Sequence, residues 1–241
     1  MLRNEDVYHR QISDPYERLI SCEDYLGNIP RTLQEIADFR GKVAVDLGAG
    51  TGRLSRMVAP YARKVIAVDF AQDMLRIAAE KLQQIDPPVD WSVHVSDMRH
   101  IPLEDQAADI VMAGWSLCYL ASSNDPNWEQ NLARVMAETE RVLRDGGAVI
   151  ILETLGTGNE EPVVYDFLQN YFDQLTGKYG FQHKSIRTDY RFDSVQEAAQ
   201  MAEQFFGESV GRQVLENGSR IVPECTGVWW KTVRKSFVSN H

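Results

Sequence analysis

The chain lacks several features that mark whole classes of protein. Its 241 residues include only 3 cysteines, Cys22, Cys118 and Cys225, and they form no C-x-x-C pair. This spacing indicates reduced thiols and not a disulfide framework, so we expect a cytoplasmic protein. No apolar run approaches the roughly 18 residues of a membrane span, and the first residues carry no apolar signal-peptide core. We therefore expect no membrane partner.

Basic tracts and metal-binding patterns are also scarce. The net charge is −10, and no long run of lysine or arginine occurs. Because cations on the phosphate backbone supply most nucleic-acid affinity, this balance argues against nucleic acid as the main partner. The 5 histidines show no metal-ligand spacing with the cysteines or the acids, so we expect no metal. The oligomeric state is left open.

The most informative segment is the run V-A-V-D-L-G-A-G-T-G, which begins at Val43. Its short, β-branched apolar part predicts a buried parallel strand. Gly48, Gly50 and Gly52 then predict a turn with so few side chains that a ligand can lie directly on the backbone. Helical spacing from Arg53 onwards predicts a helix whose N-terminus favours an anion.

The spacing of the glycines separates two interpretations of this loop. The dinucleotide fingerprint G-x-G-x-x-G requires its third glycine where this chain has Arg53. A dinucleotide-binding strand is also apolar up to its loop, whereas Asp46 lies two residues before Gly48. The arrangement D-x-G-x-G-x-G resembles motif I of the class I (Rossmann-like) S-adenosylmethionine-dependent methyltransferases, of the generic small-molecule methyltransferase-domain type. An ordinary strand–turn–helix with Asp46 as a helix cap is the structural alternative.

The resemblance implies S-adenosylmethionine as the cofactor and assigns roles to this loop. The amino-acid end of that cofactor carries an ammonium and a carboxylate. Asp46 suits the ammonium, directly or through a water. The carboxylate suits the loop and the helix N-terminus. The loop residues so assigned are Gly48, Ala49, Gly50 and Gly52.

Acids after the next two strands lie where the resemblance requires them. Asp69 ends a second strand, roughly 20 residues beyond the loop, where a carboxylate accepts hydrogen bonds from both ribose hydroxyls. An acid at a helix start is the alternative for Asp69. Asp97 follows a third strand, and the resemblance implies that it accepts from the adenine amine. The Met98 amide is then expected to contact the adenine ring.

Aromatic residues follow the strand ends as well. Phe70 comes directly after Asp69, where it covers one adenine face or belongs to the core. Trp115 follows the predicted fourth strand, near which class I methyltransferases present the reactive methyl group. We interpret Trp115 as a residue of the cofactor or acceptor pocket and Tyr119 as facing the acceptor. A packing role is the alternative for both.

The resemblance implies methyl transfer by in-line displacement to an unidentified small-molecule acceptor. A general base is needed only if the acceptor must lose a proton early. The candidates are Tyr119, His9, Tyr16 and Tyr8. Two rival functions are a non-catalytic cofactor-binding scaffold and an NAD(P)-dependent oxidoreductase.

The predicted fold is α/β, with a seven-stranded, mostly parallel, doubly wound sheet whose last strand is antiparallel. A helical arm or lid is expected over residues 1–40 and the cofactor core over residues 41–153. Residues 154–241 are expected to complete the sheet, with a helical insertion between the last two strands that caps the acceptor pocket. A helix starting at Asp125-Pro126 is expected to end at a left-handed cap formed by Gly146-Gly147.

Overall fold

The computed structural model describes residues 10–235, and the side chains of residues 15–235. Strands and helices alternate over residues 43–95, as in other α/β proteins. The helices are α1 (Arg10–Cys22), α2 (Asn28–Ile36), α3 (Arg53–Val58), α4 (Gln72–Gln83), α5 (Cys118–Ala121), α6 (Trp128–Val142), α7 (Asp166–Gly177), α8 (Val195–Phe206) and α9 (Glu208–Asn217). The strands are β1 (Val43–Leu47), β2 (Lys64–Asp69), β3 (Asp90–Val95), β4 (Ala108–Gly114), β5 (Leu143–Thr157), β6 (Gln182–Arg187), β7 (Tyr190–Arg191), β8 (Ile221–Val222) and β9 (Glu224–Thr232).

Seven of the strands form one sheet in the order β3-β2-β1-β4-β5-β9-β6. The strands β1 to β5 pair in parallel, whereas β9 runs antiparallel to both β5 and β6. The predicted fold is therefore confirmed, including the antiparallel last strand between the fifth and the sixth. The carboxyl ends of β1, β2 and β4 meet at one edge, and such edges hold the ligands of open α/β sheets.

The apolar residues of β1 are buried on both faces of the sheet. Every residue of β1 is buried, because helices cover both faces of the parallel sheet. Val45 and Leu47 belong to the core on the side of α6 and α7, while Ala44 packs on the opposite side, near α2 and α3. Successive side chains of β1 thus pack alternately into two cores, one on each face of the sheet.

The end of α6 differs from the sequence prediction. This helix ends at Val142, and Leu143 is already extended and pairs with Ala108 of β4. The two glycines that were expected to cap the helix lie inside β5 instead. A Cβ on Gly147 would lie 3.0 Å from the Asp109 carbonyl oxygen. The glycine is therefore needed because the strands approach closely there, and the predicted helix cap is wrong.

The insertion between β6 and β9 contains β7, α8, α9 and β8. The sequence pattern predicts one strand over residues 181–192, but the chain leaves the main sheet at Arg187. Beyond Thr188, whose amide donates to the Glu224 carbonyl at 2.9 Å, it enters a separate two-stranded sheet of β7 and β8. Leu19 of α1 belongs to the same core cluster as residues of this insertion. The N-terminal arm and the insertion therefore pack together.

Residues 10–235 contain no helix long and apolar enough to cross a membrane.

Candidate functional site

A cavity of about 340 Å³ lies at the carboxyl edge of the parallel strands. It collects every residue that the sequence assigned to the cofactor except Gly52. Those residues are Asp46, Gly48, Ala49, Gly50, Asp69, Phe70, Asp97, Met98 and Trp115. Segments that are far apart in sequence thus meet around a single space.

The glycines of the loop serve different purposes. Gly48 has a φ of 67°, and a Cβ there would lie 2.3 Å from the Ser116 Cβ, so this position permits β1 and β4 to end close together. Gly50 also has a positive φ, but a Cβ would meet nothing within 4 Å. Gly52 lies outside the cavity; a Cβ there would lie 3.0 Å from the Ala78 Cβ, where α3 packs on α4. The structure therefore gives Gly52 a packing role.

The loop amides are already bonded to protein oxygens. The amides of Gly48 and Ala49 both donate to the Val68 carbonyl, at 2.8 and 3.1 Å. The Gly50 amide donates to Asp69 Oδ2 at 2.8 Å, and the Gly52 amide donates to the Ala49 carbonyl at 2.8 Å. The hydrogen bonds to Val68 and Asp69 hold the loop against β2. These four loop amides are thus not directed at a ligand carboxylate, which the sequence places at the loop and the helix N-terminus.

Asp46 is buried near the end of β1. Its position agrees with both roles considered from the sequence, that of a helix cap and that of a residue in the ligand cavity. Its Oδ2 accepts from the Ser55 amide at 2.9 Å and from the Ser55 hydroxyl at 2.7 Å, so it caps the first turn of α3. The same residue lines the cavity. Burial raises the pKa of Asp46 to about 6, because the apolar surroundings disfavour its charged form. Its contact with a ligand ammonium stays a prediction.

Asp69 joins the end of β2 to the loop. In addition to the Gly50 bond, its Oδ1 accepts from the Ala71 amide at 2.8 Å. Burial raises the pKa of the Asp69 carboxyl, although these backbone donors oppose the effect. Asp69 thus also contacts the start of α4, whose N-cap is Ala71, although it makes no side-chain cap hydrogen bond to that helix. Each carboxylate oxygen retains a further lone pair for a ligand hydroxyl, and the ribose contact stays a prediction.

Asp97 lines the cavity but is held by a neighbouring cation. The Arg99 amide donates to Asp97 Oδ1 at 2.8 Å, and Arg99 Nη2 donates to Oδ2 at 2.6 Å. This hydrogen-bonded pair lowers the pKa of Asp97. Arg99 Nη1 also donates to Asn131 of α6, which fixes the pair in place. The assignment of Asp97 to the adenine amine stays a prediction.

The aromatic residues of the cavity are placed differently from core aromatics. Phe70 is 60% exposed and Tyr119 is 52% exposed, so neither belongs to the core. Trp115 has a φ of 51°, a conformation that non-glycine residues adopt mainly at functional or tightly constrained sites. The Arg53 guanidinium carbon lies 3.9 Å from the centroid of the Trp115 ring. All three aromatic residues line the cavity, and Trp115 also packs against the core that contains Leu54 and Met112.

The candidate bases differ in whether they line the cavity and in whether the structure describes them. Tyr16 of α1 lines the cavity, and burial raises its pKa to about 12. Its hydroxyl is protonated at neutral pH, so it is suited to donate a hydrogen bond and unsuited to act as a base. Tyr119 also lines the cavity. His9 and Tyr8 lie outside the described residues.

The sequence interpretation missed Arg53, the first residue of α3. Its side chain lines the cavity, and its Nη1 donates to Glu23 Oε2 at 2.7 Å. From the sequence, Arg53 was used only as evidence against the dinucleotide fingerprint. A cation directly after the last loop glycine was the available signal.

Over the described part of the chain, no group of three or more His, Cys, Asp or Glu side chains has the arrangement of a metal site. The prediction that the protein uses no metal is not tested by this finding.

Known proteins resemble the chain in both sequence and fold. Residues 45–151 match the family described as "Methyltransferase domain". Demethylmenaquinone methyltransferases of two Staphylococcus aureus strains, JH9 and Newman, are each 31% identical over 178 residues, which cover 70% of this chain and 66% of the relative. The chain thus spans just under two thirds of the length of these relatives.

Solved structures share the fold at low sequence identity. The YcgJ protein from Bacillus subtilis gives a TM-score of 0.56 with 14% identity, over 88% of this chain and 98% of that chain. A SAM-dependent methyltransferase from Aquifex aeolicus gives a TM-score of 0.55 with 18% identity, over 85% of this chain and 89% of that chain.

Proposed function

We propose that the chain is a class I S-adenosylmethionine-dependent methyltransferase and that it transfers a methyl group from S-adenosylmethionine to a small-molecule acceptor. One observation carries the proposal. Gly48 and Gly50, Asp69, and Asp97 come from the ends of three different strands, yet they line one cavity.

The residues of this cavity fit the cofactor. Asp69 would accept hydrogen bonds from the ribose hydroxyls, and Phe70 and Met98 would flank the adenine. Asp46 would accept from the ammonium. Buried polar atoms of Thr51 and Arg53 at the cavity also lack a protein partner within the described range, which favours a polar ligand over an apolar one. When bound, the cofactor supplies a methyl group that is already activated by a sulfonium sulfur.

The protein then has mainly to position the acceptor and exclude water. Alignment of this kind contributes roughly 7–11 kcal/mol to lowering a barrier. Trp115 and Tyr119 follow β4 and line the cavity on the side where the resemblance places the reactive methyl group. Tyr16 reaches the cavity from α1 and keeps its proton, so it would orient an acceptor oxygen by donating a hydrogen bond to it.

The acceptor is proposed to contain an apolar or aromatic ring. Leu54, Trp115, Tyr119 and Leu120 supply apolar and aromatic surface to the cavity, and such surface favours a planar apolar ligand. The Staphylococcus aureus relatives are named for demethylmenaquinone. A quinone-derived ring is therefore the first acceptor to test.

The experiment uses the purified full chain in two steps. Calorimetry should detect binding of S-adenosylhomocysteine, and NAD should neither bind nor compete. Labelled S-adenosylmethionine should then pass its methyl group to reduced naphthoquinone or to another member of a panel of small phenols and amines. Binding of NAD in place of S-adenosylhomocysteine would favour the oxidoreductase. Tight S-adenosylhomocysteine binding without transfer to any acceptor would favour the scaffold.

A further inference from the structure

We propose that the Arg53 side chain binds the carboxylate at the amino-acid end of the cofactor, in place of the glycine-loop amides. This inference rests on the proposed function, because it presumes that S-adenosylmethionine occupies the cavity. It assigns a ligand to a residue that lies outside the glycine motif.

Arg53 has donors that the protein does not use. Its Nη1 is bonded to Glu23, but its Nε and Nη2 are buried and have no acceptor among the residues that the structure describes. The side chain is only 13% exposed, so bulk water does not readily supply the missing acceptors. Buried donors in folded proteins nearly always have a partner. Two unpartnered donor nitrogens on one guanidinium therefore point to a ligand with acceptor oxygens.

The geometry of the guanidinium suits a carboxylate. The group is planar and presents its donors as a fork, which matches two carboxylate oxygens. Stacking on Trp115 and the bond to Glu23 restrict it from two directions. A guanidinium fixed in this way loses little conformational freedom when it binds a ligand.

The charges around the cavity lead to the same assignment. Asp46, Asp69 and Asp97 all line it, and Arg53 is the one lysine or arginine among its described lining residues. A ligand carboxylate placed near several acids requires a cation. The amides of Gly48, Ala49, Gly50 and Gly52 already donate to protein oxygens and do not meet this need.

Glu23 has a supporting role in this arrangement. It comes directly after α1, is 2% exposed in its side chain, and partly neutralises Arg53. The N-terminal arm thereby holds the guanidinium against the cavity wall. Glu23 is a positioning residue, and Arg53 is the residue that touches the cofactor.

The test compares two nucleosides that differ at one end. S-adenosylhomocysteine carries the amino-acid group, whereas methylthioadenosine lacks it. Calorimetry on Arg53→Gln should show about a tenfold or greater loss of S-adenosylhomocysteine affinity, because a hydrogen-bonded charge is removed, with methylthioadenosine affinity unchanged. Arg56→Gln is the matched control, since Arg56 is an exposed arginine of the same helix and does not line the cavity.

The affinities of wild type and variant for the two nucleosides distinguish the possible roles of Arg53. Equal S-adenosylhomocysteine affinity in wild type and Arg53→Gln would overturn the inference, while wild-type binding would leave the proposed function intact. An equal loss of both nucleosides in a folded variant would show that Arg53 only supports the cavity. If Arg53→Gln does not fold, Arg53→Lys takes its place and should lose S-adenosylhomocysteine selectively, because a lysine keeps the charge but not the fork. Wild type that binds neither nucleoside would overturn the proposed function and this inference together.

Discussion

Asp69 Oδ2 accepts a hydrogen bond from the Gly50 amide at 2.8 Å. The acid that the sequence assigns to the ribose thus also fixes the glycine loop. Through its other oxygen, Asp69 holds the Ala71 amide just before α4. One side chain therefore connects β2, the loop and the residues before the next helix, so we expect its removal to change both the shape of the site and its affinity for a ligand.

We predict that Asp69→Ala weakens the binding of S-adenosylhomocysteine by several-fold to about tenfold while the protein stays folded. The variant loses the acceptor for the ribose and leaves the Gly50 and Ala71 amides unpaired, which costs about 1–3 kcal/mol of stability. Calorimetry measures the affinity, and thermal denaturation checks the fold. Asp73→Ala is the control, because Asp73 is exposed on α4 and does not line the cavity. Unchanged affinity in Asp69→Ala would remove Asp69 from the ribose role.

Gly48→Ala is predicted to destabilise the protein strongly. The added methyl group would lie 2.3 Å from the Ser116 Cβ, at a φ of 67°. Strain and overpacking together lower the free energy of unfolding by about 2–5 kcal/mol. Gly41→Ala, at a φ of 71° with nothing within 4 Å, isolates the strain and should cost about 1 kcal/mol. Urea denaturation measures the free energy of unfolding of both variants. A similar loss of stability in the two variants would contradict the steric explanation for Gly48.

The sequence was most informative for cavity residues that lie at the ends of strands. Asp46, Asp69 and Trp115 lie at or just beyond strand ends, and parallel strands bring their carboxyl ends to one edge. Local sequence patterns, together with the resemblance to the methyltransferase family, therefore predicted the sheet and most of the cavity wall.

Other features depend on tertiary contacts that local patterns do not contain. The Glu23–Arg53 pair joins the residue after α1 to the first residue of α3, and the loop amides are occupied because Val68 of the neighbouring strand accepts from them. The helix cap predicted at Gly146-Gly147 was wrong for a similar reason. Pairing of Leu143 with Ala108 ends the helix earlier than the glycine pattern indicates.

Phe70→Ala is predicted to lower nucleoside affinity without lowering stability. Phe70 lines the cavity yet is 60% exposed, so its ring contributes little to the core. Loss of an aromatic face costs about 0.5–1.5 kcal/mol, which corresponds to an affinity decrease of about twofold to tenfold. Methylthioadenosine is the suitable probe because it isolates the nucleoside. Leu26→Ala, at a residue 55% exposed and outside the cavity, should leave both affinity and melting temperature unchanged. A large fall in the melting temperature of Phe70→Ala would show instead that the ring packs in the core.

Glu153 of β5 is predicted to make stability depend on pH. Its Oε1 accepts from the Cys118 amide at 3.0 Å and from the Tyr171 hydroxyl at 3.3 Å. Burial raises the pKa of this carboxyl from 4.5 to about 7, so the native protein holds a proton there that the unfolded chain has released. Stability from this group is complete below about pH 4.5 and is lost as the pH rises through about 7.

Glu153→Gln should remove this dependence, because the amide keeps the acceptor oxygen but does not ionise. Urea denaturation of wild type and variant at about pH 5 and about pH 8 measures the effect as a difference, so other buried acids such as Asp46 cancel. We expect the variant to gain on the order of 1–3 kcal/mol relative to wild type between the two conditions. Glu104→Gln, at an exposed glutamate, should follow the wild-type curve. If the curves of wild type and Glu153→Gln ran parallel, Glu153 would already be ionised in the folded protein at the lower pH, and its burial would not raise its pKa as described.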